Sequence, residues 1–149
     1  MGGLDLFGCL WLFFVYSFFG WIAETCFCVL KYRKFMNRGM LNSPLCIVYG
    51  ISAVIITIGF PELFDEIPIL FLGCAGVSTL LEWFTAKILE KLDHKKWWDY
   101  SSKRWNLDGY ICLQYSIVWG ILGVLSVKFV TPVLMKLYHM VPSFMMQIA

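Results

Sequence analysis

An all-α polytopic membrane protein, with four transmembrane helices built as a two-plus-two parallel internal repeat, is the fold that this sequence predicts. Three observations carry the prediction. The 149 residues are 60% hydrophobic and 15% charged, with a mean hydropathy of +0.72, well outside the composition of soluble globular domains. Four apolar runs, near 6–30, 44–60, 67–89 and 110–133, approach the roughly 20 helical residues that a bilayer crossing requires. The order helix, basic loop, helix occurs twice in one orientation.

The first run follows "MGGLDLFG", which lacks a basic flank, and the run has no small-residue cleavage site, so it reads as a retained helix. The second is the shortest and begins at Pro44. The tail after Pro132, with Lys136, His139 and Pro142, reads as too broken to span again and is expected along the outer surface. Loop charge sets the orientation, because short cytoplasmic loops collect Lys and Arg. Lys31, Arg33, Lys34 and Arg38 follow the first run, Glu62, Asp65 and Glu66 follow the second, and the third loop is basic and acidic together. Both termini are therefore expected outside, in a single integral membrane domain.

The repeat is legible in two segments. "NRGMLNSPLCIVYG" and "NLDGYICLQYSIVWG" each open on Asn, reach a glycine two or three residues later and enter an apolar run containing Ile-Val-aromatic-Gly. Each is preceded by an intramembrane acid, Glu24 or Glu82, shortly before a basic helix end. The copies are expected over about 6–60 and 67–133, the second enlarged by most of "HKKWWDYSSKRW".

An acid at membrane depth is costly, so it is paired, protonated or part of a site. Glu24 lies roughly 10 Å along the helix from Lys31, and Glu82 roughly 7 Å from Lys87. Helical spacing sets Ser17, Gly20, Glu24 and Cys28 on one face, and Gly76, Thr79, Glu82 and Ala86 on another. Arg38, Asn37, Asn106 and the helix-entry amides are the expected partners. The polar pocket expected to take a small solute or ion thus comprises Glu24, Glu82, Asn37, Arg38, Asp99 and Asn106, supported by Trp21, Tyr49, Trp97, Trp98 and Tyr100. The same acids serve equally well as fixers of helix register.

The stretch "KKWWDYSSKRWNLDG" fits an interfacial belt of aromatic rings and bases facing anionic lipid. It also fits a cap over the bundle mouth, with Asp99 near the glutamates. Its shortness and its acids argue against nucleic acid. No phosphate-binding loop, histidine pair or nucleophile motif is present, which implies no cofactor and no metal. The six cysteines fall in or beside the apolar runs and read as reduced packing residues. Small residues at Ser116, Gly120 and Gly123, and at Gly73 and Gly76, offer close-packing faces for a second copy.

"NRGMLNSPLCIVYG", the glutamates in "GW..E" and "LEW", "WWDYS" and "NLDGYICL" together resemble a family of small bacterial membrane proteins described as type IV ABC-transporter permeases. The resemblance runs over roughly 13–123 and falls on Gly20, Trp21, Glu24, Asn37, Arg38, Gly39, Pro44, Tyr49, Gly50, Glu82, Trp97, Trp98, Asp99, Tyr100, Asn106, Gly109 and Gly120. It implies a transport component of the cell membrane. The chain has no nucleotide-binding motif, so any ATP hydrolysis is expected from a separate subunit docking on the third loop, and four helices enclose so little space that a homo-oligomer is expected. A membrane enzyme acting on a lipid-linked substrate and a structural subunit are the competing readings.

Overall fold

The computed structural model of the chain describes residues 4–37, 39, 43–59, 61–63 and 65–148, with backbone alone at 63 and 142–148. Arg38 lies outside the described residues. Among the described residues five α-helices follow in order: α1 (Leu6–Tyr32), α2 (Ile47–Gly59), α3 (Ile67–Asp93), α4 (Leu113–Leu125) and α5 (Thr131–Ile148). A short hairpin of β1 (Asn106–Leu107) and β2 (Ile111–Cys112) precedes α4, with Asn106 opposite Cys112 and Leu107 opposite Ile111.

Local chemistry sets these boundaries. The Asp5 carboxylate accepts from the Gly8 N–H at 2.9 Å and caps α1, which ends where Arg33 turns left-handed at φ 55°. Pro68 occupies the first turn of α3, where its missing N–H costs nothing, and His94 closes that helix at φ 56°. Between α4 and α5 the chain makes a π-turn over Ser126–Val130, just ahead of Pro132. Proline cannot donate to the carbonyl four residues back, and widening the preceding turn accommodates its ring.

Three described stretches are long and apolar enough to cross a membrane: Leu6–Tyr32, Ile67–Asp93 and Leu113–Val141. The second expected span is a helix of only 13 residues, about 20 Å long, because it cannot begin until the chain has passed Pro44. The segment after Pro132 is also helical where a broken tail was expected, since the π-turn ahead of that proline makes room for its ring and lets the helix run on. Large apolar side chains such as Phe14, Leu72, Leu80 and Phe129 are exposed along the helices, and lipid covers them.

The structure divides into two compact units, Met1–Val54 with Phe129–Ala149, and Ile55–Lys128. In the first, α5 is hydrogen-bonded to α1. Trp11 Nε1 donates to the Leu134 carbonyl at 2.9 Å, Tyr16 and Thr131 share a hydroxyl hydrogen bond of 2.7 Å, and Tyr138 donates to Asp5. In the second, Ile56, Leu70, Cys74 and Val127 form a buried core flanked by Val77 and Val124.

Helix α4 lies close against α3 because its facing residues are small. A Cβ at Gly120 would run into the Phe71 ring, and one at Gly123 into Cys74. Thr79 Oγ1 donates to Ser116 Oγ at 2.7 Å, and Ser116 in turn donates to the Cys112 carbonyl at 3.1 Å. The face at Ser116, Gly120 and Gly123, one of the two offered for a second copy, is therefore occupied within the unit. The buried row on α3 is Leu70, Cys74, Glu82 and Ala86, at spacings of four or multiples of four. Gly76 lies off that row, and a Cβ there would meet nothing.

These contacts give opposite expectations for two glycines. Gly120→Val should cost about 1–3 kcal/mol by overpacking against Phe71. Gly76→Ala should be neutral or stabilising by up to about 1 kcal/mol, through helix propensity alone. Thermal unfolding of both variants in detergent checks the difference.

Candidate functional site

Each intramembrane glutamate accepts hydrogen bonds from aromatic side chains of the helix that follows it. In the first unit, Tyr49 Oη donates to Glu24 Oε1 at 2.7 Å. In the second, Trp119 Nε1 donates to Glu82 Oε2 at 3.0 Å, and Tyr100 Oη donates to Glu82 Oε1 at 2.9 Å. Glu82 is buried, at 7% exposure, while Glu24 is half-buried. Donors to an ionised acceptor make stronger hydrogen bonds than neutral pairs, and a low-dielectric setting magnifies them.

The two donors occupy matching places in sequence. Tyr49 is the third residue of Ile47-Val48-Tyr49-Gly50, and Trp119 is the third of Ile117-Val118-Trp119-Gly120. The glycine after each aromatic lies against the preceding long helix. A Cβ on Gly50 would strike the Phe13 carbonyl and the Ser17 hydroxyl, as one on Gly120 would strike Phe71. Close approach brings the neighbouring aromatic within reach of the acid. At the foot of each segment an Asn carboxamide closes a turn: Asn37 Oδ1 accepts from the Gly39 N–H at 2.9 Å, and Asn106 Oδ1 from the Gly109 N–H at 3.0 Å.

Trp21 Nε1 donates to the same Asn37 oxygen at 2.8 Å, tying the loop to α1. Asn37 is thus a turn-former, and among the described residues Glu24 accepts from a phenol, its expected partner Arg38 lying outside them. Among the described residues Glu24 and Asn37 are each placed with partners of their own unit, and so is Glu82.

The third loop folds back along α3. Trp97 Nε1 donates to Asp93 at 2.6 Å, Tyr110 Oη to Glu90 at 2.5 Å, and Trp98 Nε1 to the Tyr110 carbonyl at 2.9 Å. Tyr100 stacks on Tyr115 with centroids 4.8 Å apart, which aims its hydroxyl at Glu82. Gly109, at φ +75°, leaves room for Asp99, Ser101 and Lys96 beside it.

Asp99, expected near the glutamates, is hydrogen-bonded within its own loop. It accepts from the Ser101 hydroxyl and from the Ser101 N–H, and it lies 3.9 Å from Lys96. The residue that reaches Glu82 is its neighbour Tyr100. Asn106 likewise donates to the carbonyls of Lys103 and Ser101 at 2.8 and 3.3 Å, and serves the turn.

Trp119, Tyr110 and Glu90 were not singled out from the sequence. Trp119 had a signal, the recurrence of Ile-Val-aromatic-Gly. The bond between Tyr110 and Glu90 had none, because it depends on how the hairpin folds.

Titration follows this geometry in the loop. Burial first, and then the Glu82 carboxylate, push the Tyr100 phenol above its ordinary value. Tyr110 is raised mainly by its hydrogen bond to Glu90, and Asp99 is lowered mainly by the Ser101 hydroxyl.

Comparison with known proteins decides the family. The family model described as "Putative ABC-transporter type IV" matches residues 11–149. The chain belongs to this family. No curated protein and no solved structure matches it. Type IV ABC-transporter membership and the apolar helices together make the chain a multi-pass membrane protein in contact with lipid.

Two outcomes follow for this type IV protein. Trp119→Phe and Tyr100→Phe each remove one donor from a buried carboxylate and should each destabilise by about 1–3 kcal/mol, read by thermal unfolding in detergent. Both shifted phenols have raised folded values. Their contribution is thus complete below the ordinary tyrosine value of about 10 and fades as pH rises through the raised ones. In an alkaline absorbance titration, Tyr100→Phe and Tyr110→Phe should each delete one late-ionising phenol, while wild type retains both.

Proposed function

We propose that the chain is the membrane component of a transport system in which Glu24 and Glu82 are acceptor carboxylates for a small solute or ion. The observation that carries this is the recurrence of one device, an intramembrane carboxylate held by an aromatic donor from the next helix. A hydrogen bond from a phenol or an indole keeps a carboxylate oriented without neutralising it, so the charge remains available to a cationic or hydrogen-bonding ligand. Acids at membrane depth recur along substrate and ion pathways for this reason.

The same recurrence supports reading α1–α2 and α3–α4 as two copies of one unit in parallel orientation. Matching turns at Asn37 and Asn106, matching donors at Tyr49 and Trp119, and matching glycines at Gly50 and Gly120 support it together. In this reading α2 crosses as a short helix extended by its flanking segments, and both termini lie outside. The basic first loop supports that orientation. ATP hydrolysis belongs to a separate subunit, for which the exposed, charged entry of the third loop at His94, Lys95 and Lys96 is the docking surface, and the working form is a homo-oligomer.

A second reading, a register lock, is favoured by one observation: both oxygens of Glu82 are engaged. Glu24→Gln separates the two. A carboxamide oxygen still accepts from Tyr49, so the fold should persist with stability within about 1 kcal/mol of wild type. Native mass spectrometry of protein gently extracted from its own membranes should show wild type carrying a stoichiometric solute or a partner ATPase, and the variant losing the solute. A wild type that emerges as a bare homo-oligomer with bulk lipid, or a variant that retains the same solute, overturns the transport reading.

A further inference from the structure

Of the aromatic residues in the third loop, most are committed inward. Trp97 and Tyr100 are bonded to acids of α3, Trp98 to the Tyr110 carbonyl, and Tyr110 to Glu90. Trp105 is different: it is 71% exposed, and Leu107 nearby is 53% exposed.

The backbone at Trp105 is left-handed, at φ 58°. For a bulky residue without glycine's freedom this is a rare and costly conformation, and it persists only where the surroundings impose it. Here they do so from both sides. The Trp105 carbonyl accepts from the Leu113 N–H at 3.2 Å, and the Asn106 carboxamide clamps the carbonyls of Lys103 and Ser101. The chain is thus held in a disfavoured conformation that turns an indole outward.

Depth follows from the same hydrogen bond. Leu113 is the first residue of α4 and of the apolar stretch Leu113–Val141. A backbone bonded to it lies where the chain enters the hydrocarbon, the level at which indole rings partition. Charge agrees with depth. Lys103 and Arg104 are exposed, the Arg104 guanidinium lies 5.8 Å from the Trp105 ring centre, and among the described residues neither base has an acid within 4 Å.

We propose that Trp105 and Leu107, flanked by Lys103 and Arg104, anchor the hairpin in the headgroup layer of the bilayer and select anionic phospholipid there. Bases at that level attract acidic headgroups, while the indole and the leucine enter the acyl boundary.

The test uses the full chain labelled with fluorotryptophan in nanodiscs of phosphatidylcholine alone and of an equal mixture with phosphatidylglycerol. Of the seven tryptophan resonances, the one missing in Trp105→Phe is Trp105. A headgroup-region nitroxide lipid should broaden it and an aqueous gadolinium chelate should not. Its position should shift when phosphatidylglycerol is added, and the double variant Lys103→Gln, Arg104→Gln should lose that shift with the other resonances unmoved. Broadening by the aqueous agent alone would place the corner in water, as a surface for a soluble protein, and overturn the anchor. Broadening by lipid with no response to phosphatidylglycerol would overturn the selectivity. The wild-type relaxation measurement stands even where the double variant fails to fold.

Discussion

A carboxylate inside a bilayer has to be supplied with hydrogen-bond donors, and most of the described architecture serves that requirement. Hydrocarbon offers none, so the donors come from protein, and they have to arrive at the right depth and angle. For Glu24 the donor is Tyr49, and for Glu82 the donors are Trp119 and Tyr100. Each arrives because a neighbouring feature permits it. Gly50 and Gly120 let the second helix of each pair approach the first, and the stacking of Tyr100 on Tyr115 orients the loop's own donor.

The third loop shows the same logic at larger scale. A polar stretch of this length would be free to extend into water, yet three acids of α3, at Glu82, Glu90 and Asp93, each engage one of its aromatic side chains. The loop is thereby laid along the helix it has just left, and the two-residue strands close it at the entry to α4. Such a structure can present a fixed surface to lipid on one side and to a partner on another. A solvated linker could do neither.

The family description names a transporter type and no residues, and the proposed function rests on how the two glutamates are held. Neutral aromatic donors hold a carboxylate in place by hydrogen bonds to its oxygens, which is the feature the proposed acceptor role rests on. They also tie helices together, so in the proposed reading function and stability draw on the same bonds. That overlap gives the variant keeping the acceptor oxygen while removing the charge more meaning than one deleting the side chain.

How much was readable in advance can be argued residue by residue. Composition and run length determined that the chain is helical and membrane-embedded, because no soluble fold tolerates such apolar content. The position of an acid within an apolar run singled out Glu24 and Glu82, since cost alone marks them. Asn37 and Asn106 were legible as special residues, although not as turn-formers. What the sequence could not determine was the direction of side chains that depend on contacts far along the chain. Asp99 and Tyr100 are adjacent, and only the fold of the hairpin decides that the phenol goes to Glu82 and the carboxylate to Ser101. Likewise Pro132 reads as a breaker until the π-turn that accommodates it within a continuous helix is known. Hydrophobicity acts on segments and can be summed from a sequence, whereas hydrogen bonds act between particular atoms, and only tertiary structure brings those atoms together.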